Sequence, residues 1–200
     1  KYLKITLISN FGNFYAIAVA SLIITYLPML PVQILLLNLL SDFPMIAIAM
    51  DTVDTAELRR PRCYNVREVV LMAIFLGIVS TVFDFIFFAL FYRQGPQILQ
   101  TNLFVGSVLT ELALIYSVRT HFFFLRTKAP SIILALLSVL AVVVAIVIPF
   151  TNIGFSWFRF ITPSMRDIYI ILGVVVSYFV ITELVKLLYY KITTSHGESV

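Results

Sequence analysis

Six apolar runs, separated by short polar ones, organise the chain, at about 5–27, 32–50, 68–92, 103–118, 131–150 and 168–190. A helix of roughly 20 apolar residues crosses a bilayer, so each run predicts a span, the fourth only barely. Pro28-Met29-Leu30-Pro31 separates the first two runs and is too short for anything but a tight helical hairpin. The 51–67 loop is polar and carries Arg59, Arg60, Arg62 and Arg67, and the 93–102 loop holds Arg93 and a Gly95-Pro96 turn signal. Arg119, Arg126 and Lys128 fall in the 119–128 loop. The 151–167 loop combines Arg159 and Arg166 with Trp157 and several phenylalanines, the makings of an interfacial belt.

The pattern predicts an all-α integral membrane protein, and the composition agrees. Apolar residues make up 61% of the chain, charged residues 12%, and the mean hydropathy is +1.03. A soluble domain has roughly half apolar and a quarter charged residues. The partner implied is the lipid bilayer, and a net charge of +4 is no argument for nucleic acid. The basic residues instead orient the helices, because loops rich in Lys and Arg stay cytoplasmic. With both termini inside, 11 of the 14 basic residues are cytoplasmic, leaving Arg93, Arg159 and Arg166 outside. Cys63 is a lone thiol in a basic loop and supports neither a disulfide framework nor a cysteine-built metal site. No phosphate-cradling glycine loop, nucleophile elbow or zinc motif occurs, so these 200 residues hold nothing that hydrolyses a nucleotide. The chain starts Lys1-Tyr2-Leu3-Lys4 and enters apolar sequence at once, which leads us to expect further sequence upstream.

The polar residues inside the apolar runs carry the chemistry. Asn38, Ser41 and Asp42 are spaced i, i+3 and i+4, so they share one helix face in the second run. A carboxylate at membrane depth costs roughly 3 kcal/mol or more and marks a functional site by default. Pro44 has no N–H for the Leu40 carbonyl, and its ring crowds that turn, so a helix break is expected there. Oxygen ligands beside a broken helix at mid-membrane hold cations in many transporters. With no Lys or Arg in the apolar part of any run, Asp42 reads as a cation ligand or a proton carrier rather than half of an ion pair. Oxygen donors suit hard cations such as Mg²⁺ or Ca²⁺, and no His or Cys cluster offers a soft metal its ligands.

Asn10 and Asn13 lie three residues apart in the first run with Gly12 between them. They serve either as hydrogen-bonding glue between closely packed helices or as further oxygen ligands facing Asn38. Asp84 follows Ser80 and Thr81 and is read as structural, satisfied by local hydroxyls or by a neighbouring helix. Glu111 is a further candidate oxygen for the site. Glu183, one turn from Lys186, reads as half of a helix-surface pair. Tyr189 and Tyr190 look like interfacial anchors, and His121 and His196 are read as solvated.

Ser9-Asn10-Phe11-Gly12-Asn13, a Pro-bounded hairpin and Asn38-Leu39-Leu40-Ser41-Asp42 together resemble the fifth and sixth transmembrane helices of P-type cation ATPases. The following Ala47-Ile48-Ala49-Met50-Asp51-Thr52-Val53-Asp54 resembles the start of that family's next cytoplasmic loop. The resemblance is strong over about 5–60, and the later helices match in number, orientation and loop charge. It implies that residues 1–200 are the C-terminal half of a pump's membrane domain, helices five to ten. Calcium pumps carry a glutamate where Asn13 stands, and both strings look most like the bacterial magnesium-transporting branch. The resemblance further implies cation contacts from Asn10, Asn13, Asn38, Ser41 and Asp42, with Glu111 in addition, and Mg²⁺ as the transported ion. ATP would act only through phosphorylation, nucleotide-binding and actuator domains which, with helices one to four, are absent from this chain. A multi-pass location in a prokaryotic plasma membrane follows.

Two other classes compete. A self-contained six-helix secondary transporter or channel would use Asp42 as a proton or sodium relay and need no ATP. A purely structural membrane subunit would use the buried polar groups as interhelical glue.

Overall fold

The computed structural model of the chain describes residues 5–9, 18–19, 26–51, 66–120, 123–124 and 128–197. Most of the first predicted run, with Asn10 and Asn13, lies outside the described residues, as does the 52–65 loop with Arg59, Arg60, Arg62 and Cys63. Among the described residues the secondary structure is entirely helical: α1 Pro31–Ala47, α2 Val66–Phe91, α3 Pro96–Val118, α4 Ile132–Val147, the short α5 Asn152–Phe158, and α6 Met165–Gly197. Residues 5–9 are helical as well. Tight 3₁₀ turns at Ile48–Met50, Tyr92–Gln94 and Ile148–Phe150 extend α1, α2 and α4. Four stretches are long and apolar enough to cross a membrane: Val69–Gln94, Pro96–Val118, Ile132–Phe150 and Met165–Lys191. The chain is thus an all-α, multi-pass membrane protein.

Local chemistry explains where the helices start. Pro31 opens α1, where its missing N–H costs nothing, and the Leu30 N–H donates to Gln33 Oε1 at 2.9 Å. Gly95 adopts φ 108°, a conformation that L side chains avoid, and this turns the chain directly into Pro96 at the head of α3. The fourth span is therefore 23 residues long, not the short one expected at 103–118. Its first turns carry Gln100, Thr101 and Asn102, which hide it from a hydropathy pattern although all three are buried. Ser131 caps α4 by accepting from the Leu134 N–H at 3.3 Å. A reciprocal box caps α6: the Asp167 N–H donates to Ser164 Oγ at 3.2 Å, and Ser164 Oγ and N–H both donate to Asp167 Oδ2.

The turns segregate to two ends of the bundle. At the hairpin end Tyr26 stacks on Tyr92 at 5.8 Å, Gln100 Nε2 donates to the Leu27 carbonyl at 2.8 Å, and Gln33 Nε2 donates to the Phe158 carbonyl at 2.8 Å. At the opposite end Asp51 meets Arg119 and Ser131, and Lys186 meets Ser117. Successive long helices therefore run up and down. Centrally placed α3 has 89% of its apolar window buried, against 22–39% for the other three spans. Gly106 lets α3 approach α2 so closely that a Cβ there would lie 2.5 Å from the Phe87 ring. The outward faces are apolar, with Leu136, Val139, Leu140 and Val143 on α4 and Tyr169, Leu172, Val176 and Val180 on α6. Ile153, Phe155 and Trp157 stand exposed on α5 at the hairpin end, where an aromatic belt was expected.

The break expected at Pro44 does not occur at Pro44. Helix α1 continues through it to Ala47 and leaves α-geometry only at Ile48, where the 3₁₀ turn begins. The physical reason is that a proline removes one hydrogen bond and displaces one turn, which a helix packed against α3 and α4 can absorb as a local defect. Close by, Ser41 Oγ donates back to the Leu37 and Asn38 carbonyls at 3.1 and 3.3 Å.

Candidate cation site

Within the second run, the three polar residues divide between two environments. Ser41 is buried, with its hydroxyl spent on its own helix, whereas Asn38 and Asp42 are exposed. Their neighbours on that exposed stripe are apolar: Leu35, Leu39, Phe43 and Ile46. A carboxylate and an amide thus open onto a surface that otherwise suits lipid. Asp42 is close in sequence to Met45, whose sulfur accepts a hydrogen bond from Thr6 Oγ1 at 3.1 Å.

Thr6 belongs to the helical stretch 5–9, and the same stretch touches α3. Ser9 Oγ donates to Glu111 Oε1 at 2.7 Å in a buried contact. Residues 5–9 therefore pack against α1 beside Pro44 on one side and against Glu111 on the other. Ser9 was legible only as part of the Ser9–Asn13 string; its pairing with Glu111 joins positions 102 residues apart, which no local spacing announces.

Asp84 on α2 is buried, and its Oδ2 has no hydrogen-bond partner among the described residues. One turn before it, Thr81 Oγ1 donates to the Gly77 carbonyl at 2.9 Å. Tyr178 of α6, also buried, completes the polar interior around α2 and α3. No group of three or more His, Cys, Asp or Glu side chains able to hold a metal occurs among the described residues.

Two sequence readings near the opposite end need correction. Lys186 lies inside the apolar span Met165–Lys191 and is fully buried, so the spans do contain a basic residue. Its pair with Glu183, at 2.7 Å, is buried too and not on the helix surface. Lys186 Nζ also donates to the Ser117 carbonyl at 2.8 Å, and Glu183 Oε2 accepts from the Phe124 N–H at 3.3 Å. The ammonium is affordable there because it meets a carboxylate and a helix-end carbonyl together. Asp42 lies on α1, whereas Lys186 and Glu183 lie on α6. Arg119, two turns beyond Glu111, pairs instead with Asp51 at 3.0 Å.

Fold and site define a multi-pass helical membrane protein with buried acids on α2 and α3. Residues 26–188 match the family model described as cation transporting ATPase, C-terminus, and the chain belongs to that family. Over 199 residues, 96% of the chain, it is 30% identical to the Magnesium-transporting ATPase, P-type 1, of Salmonella typhimurium (strain LT2). The protein of the same name from Escherichia coli (strain K12) is 30% identical over 198 residues, again 96% of the chain. The chain spans 22% of the length of each of these relatives. It corresponds to the C-terminal membrane domain of a P-type ATPase, and its relatives are bacterial, as befits a multi-pass protein of a prokaryotic plasma membrane.

Proposed function

We propose that this chain is the C-terminal half of the membrane domain of an ATP-driven P-type cation pump, helices five to ten, and that the pump transports Mg²⁺. Asn10, Asn13, Asn38, Ser41 and Asp42 supply the oxygen ligands of the first two helices, and Glu111 adds a carboxylate from α3. Both termini face the cytoplasm, where the remaining domains of the polypeptide bind ATP, become phosphorylated and drive alternating access.

One observation carries the reading: Asn38 and Asp42 stand exposed on an apolar face of α1. In a bilayer a carboxylate facing lipid is costly, so that face requires cover from another part of the protein. The relatives are far longer than this chain, and upstream helices of the same polypeptide are the natural cover. A self-contained six-helix transporter would leave Asp42 against lipid, which counts against the secondary-transporter reading. Mg²⁺ keeps several of its waters and takes few carboxylates. One or two acids among neutral oxygens suit it, and the relatives' name points the same way.

In the full-length protein, Asp42→Asn is expected to abolish stimulation of ATP hydrolysis by free Mg²⁺ at fixed MgATP, and to abolish transport into vesicles. Stimulation and transport at the level of the parent protein would remove Asp42 from the site.

A further inference from the structure

Asp51 directly follows the 3₁₀ turn that extends α1, and Arg119 directly follows the last residue of α3. Arg119 Nε lies 3.0 Å from Asp51 Oδ2, and the two side chains are 4% and 1% exposed. The other oxygen, Asp51 Oδ1, accepts from the Ser131 N–H at 2.9 Å, and Arg119 Nη2 donates to the Lys128 carbonyl at 2.7 Å. The end of α1, the end of α3 and the cap of α4 are thereby tied into one buried polar ring. Such a pair cannot be broken on one side without leaving an uncompensated charge, so it fixes geometry where a surface pair would only decorate it.

The ring matters because of what hangs from it. Asp42 precedes Asp51 by nine residues on α1 and its 3₁₀ turn, and Glu111 precedes Arg119 by eight on α3. At about 1.5 Å per α-helical residue and about 2 Å per 3₁₀ residue, both arms are ~12–15 Å long. The two acids therefore lie at similar distances along their helices from the pair that joins them. A hard cation demands oxygen ligands at closely defined distances, so a slip of α1 against α3 by a fraction of a turn would separate the two acids as partners.

We propose that Asp51 and Arg119 are positioning residues that hold α1, which carries Asp42, in register against α3, which carries Glu111, and so fix the geometry of the cation site. The inference rests on the reading that both acids serve the same cation.

The test is Mg²⁺ binding to purified full-length protein without nucleotide, followed by calorimetry. Arg119→Gln is expected to weaken the dissociation constant at least tenfold, and Arg119→Lys by less. Because a half-broken buried pair threatens folding, the double variant Asp51→Leu/Arg119→Met serves alongside. It replaces both charges by apolar groups, which keeps the fold while removing the polar ring. A folded double variant that also binds at least tenfold more weakly supports the inference; one that binds within twofold of the parent overturns it, because packing alone would then suffice. Asp42→Asn separates the two levels of the argument. Lost binding in Asp42→Asn together with parental binding in the double variant leaves the cation site standing and the positioning role refuted. Parental binding in Asp42→Asn refutes both.

Discussion

The hydroxyl of Ser9 donates a 2.7 Å hydrogen bond to the carboxylate of Glu111, joining the start of the chain to the middle of its most buried helix. The contact places an acid of α3 against the same helical stretch that lies beside Met45 of α1. The 5–9 stretch thus bridges Met45 of α1 and Glu111 of α3.

Loss of that link should register in both stability and binding. Ser9→Ala removes a donor from a buried carboxylate, an omission that costs roughly 1–3 kcal/mol. Thermal unfolding of the full-length protein in detergent should show the loss, and the Mg²⁺ concentration needed for half-maximal transport should rise several-fold. Ser9→Thr keeps the hydroxyl and is expected to behave as the parent. A Ser9→Ala protein with unchanged Mg²⁺ dependence would mean that Glu111 stands outside the cation site.

Lys186 offers a sharper contrast between two magnitudes. A surface pair contributes at most about 1 kcal/mol. A buried pair that loses one partner costs roughly 3–5 kcal/mol. Lys186→Met also strips the Ser117 carbonyl of its donor and leaves Glu183 with the Phe124 N–H. The expected loss is thus in the upper range, with Glu183→Leu/Lys186→Met recovering part of it. A loss below about 1 kcal/mol by denaturant titration would contradict the buried role.

Pro44 sits within α1, not at its end, and has no N–H to give the Leu40 carbonyl. Pro44→Ala should return an N–H to Leu40 and withdraw that oxygen from any ligand set. Half-saturation by Mg²⁺ is expected to rise several-fold with the helix otherwise unchanged. Identical half-saturation would exclude the Leu40 carbonyl as a ligand.

Much of the fold was legible because hydropathy is a property of each residue in turn. The spans α2, α4 and α6, the Gly95-Pro96 turn and the aromatic edge of α5 all follow from local composition. Legibility failed where a polar residue is paid for by a distant partner. The head of α3 escaped notice because Gln100 is satisfied by Leu27 and Thr101 accepts from the Ile161 N–H at 3.0 Å. Lys186 looked like a surface cation because an i, i+3 pair has the same spacing whether it faces water or a neighbouring helix.

The sequence by itself determined that the chain crosses a membrane, in which order its helices come, and which acids and amides fall within its apolar runs. Only the tertiary structure decided that Ser41 turns inward while Asn38 and Asp42 face out, that Ser9 reaches Glu111, and that Asp51 closes on Arg119. The physical reason is that burial in a bilayer is read off one residue at a time, whereas a hydrogen bond or ion pair exists only once packing has set the distance between two of them.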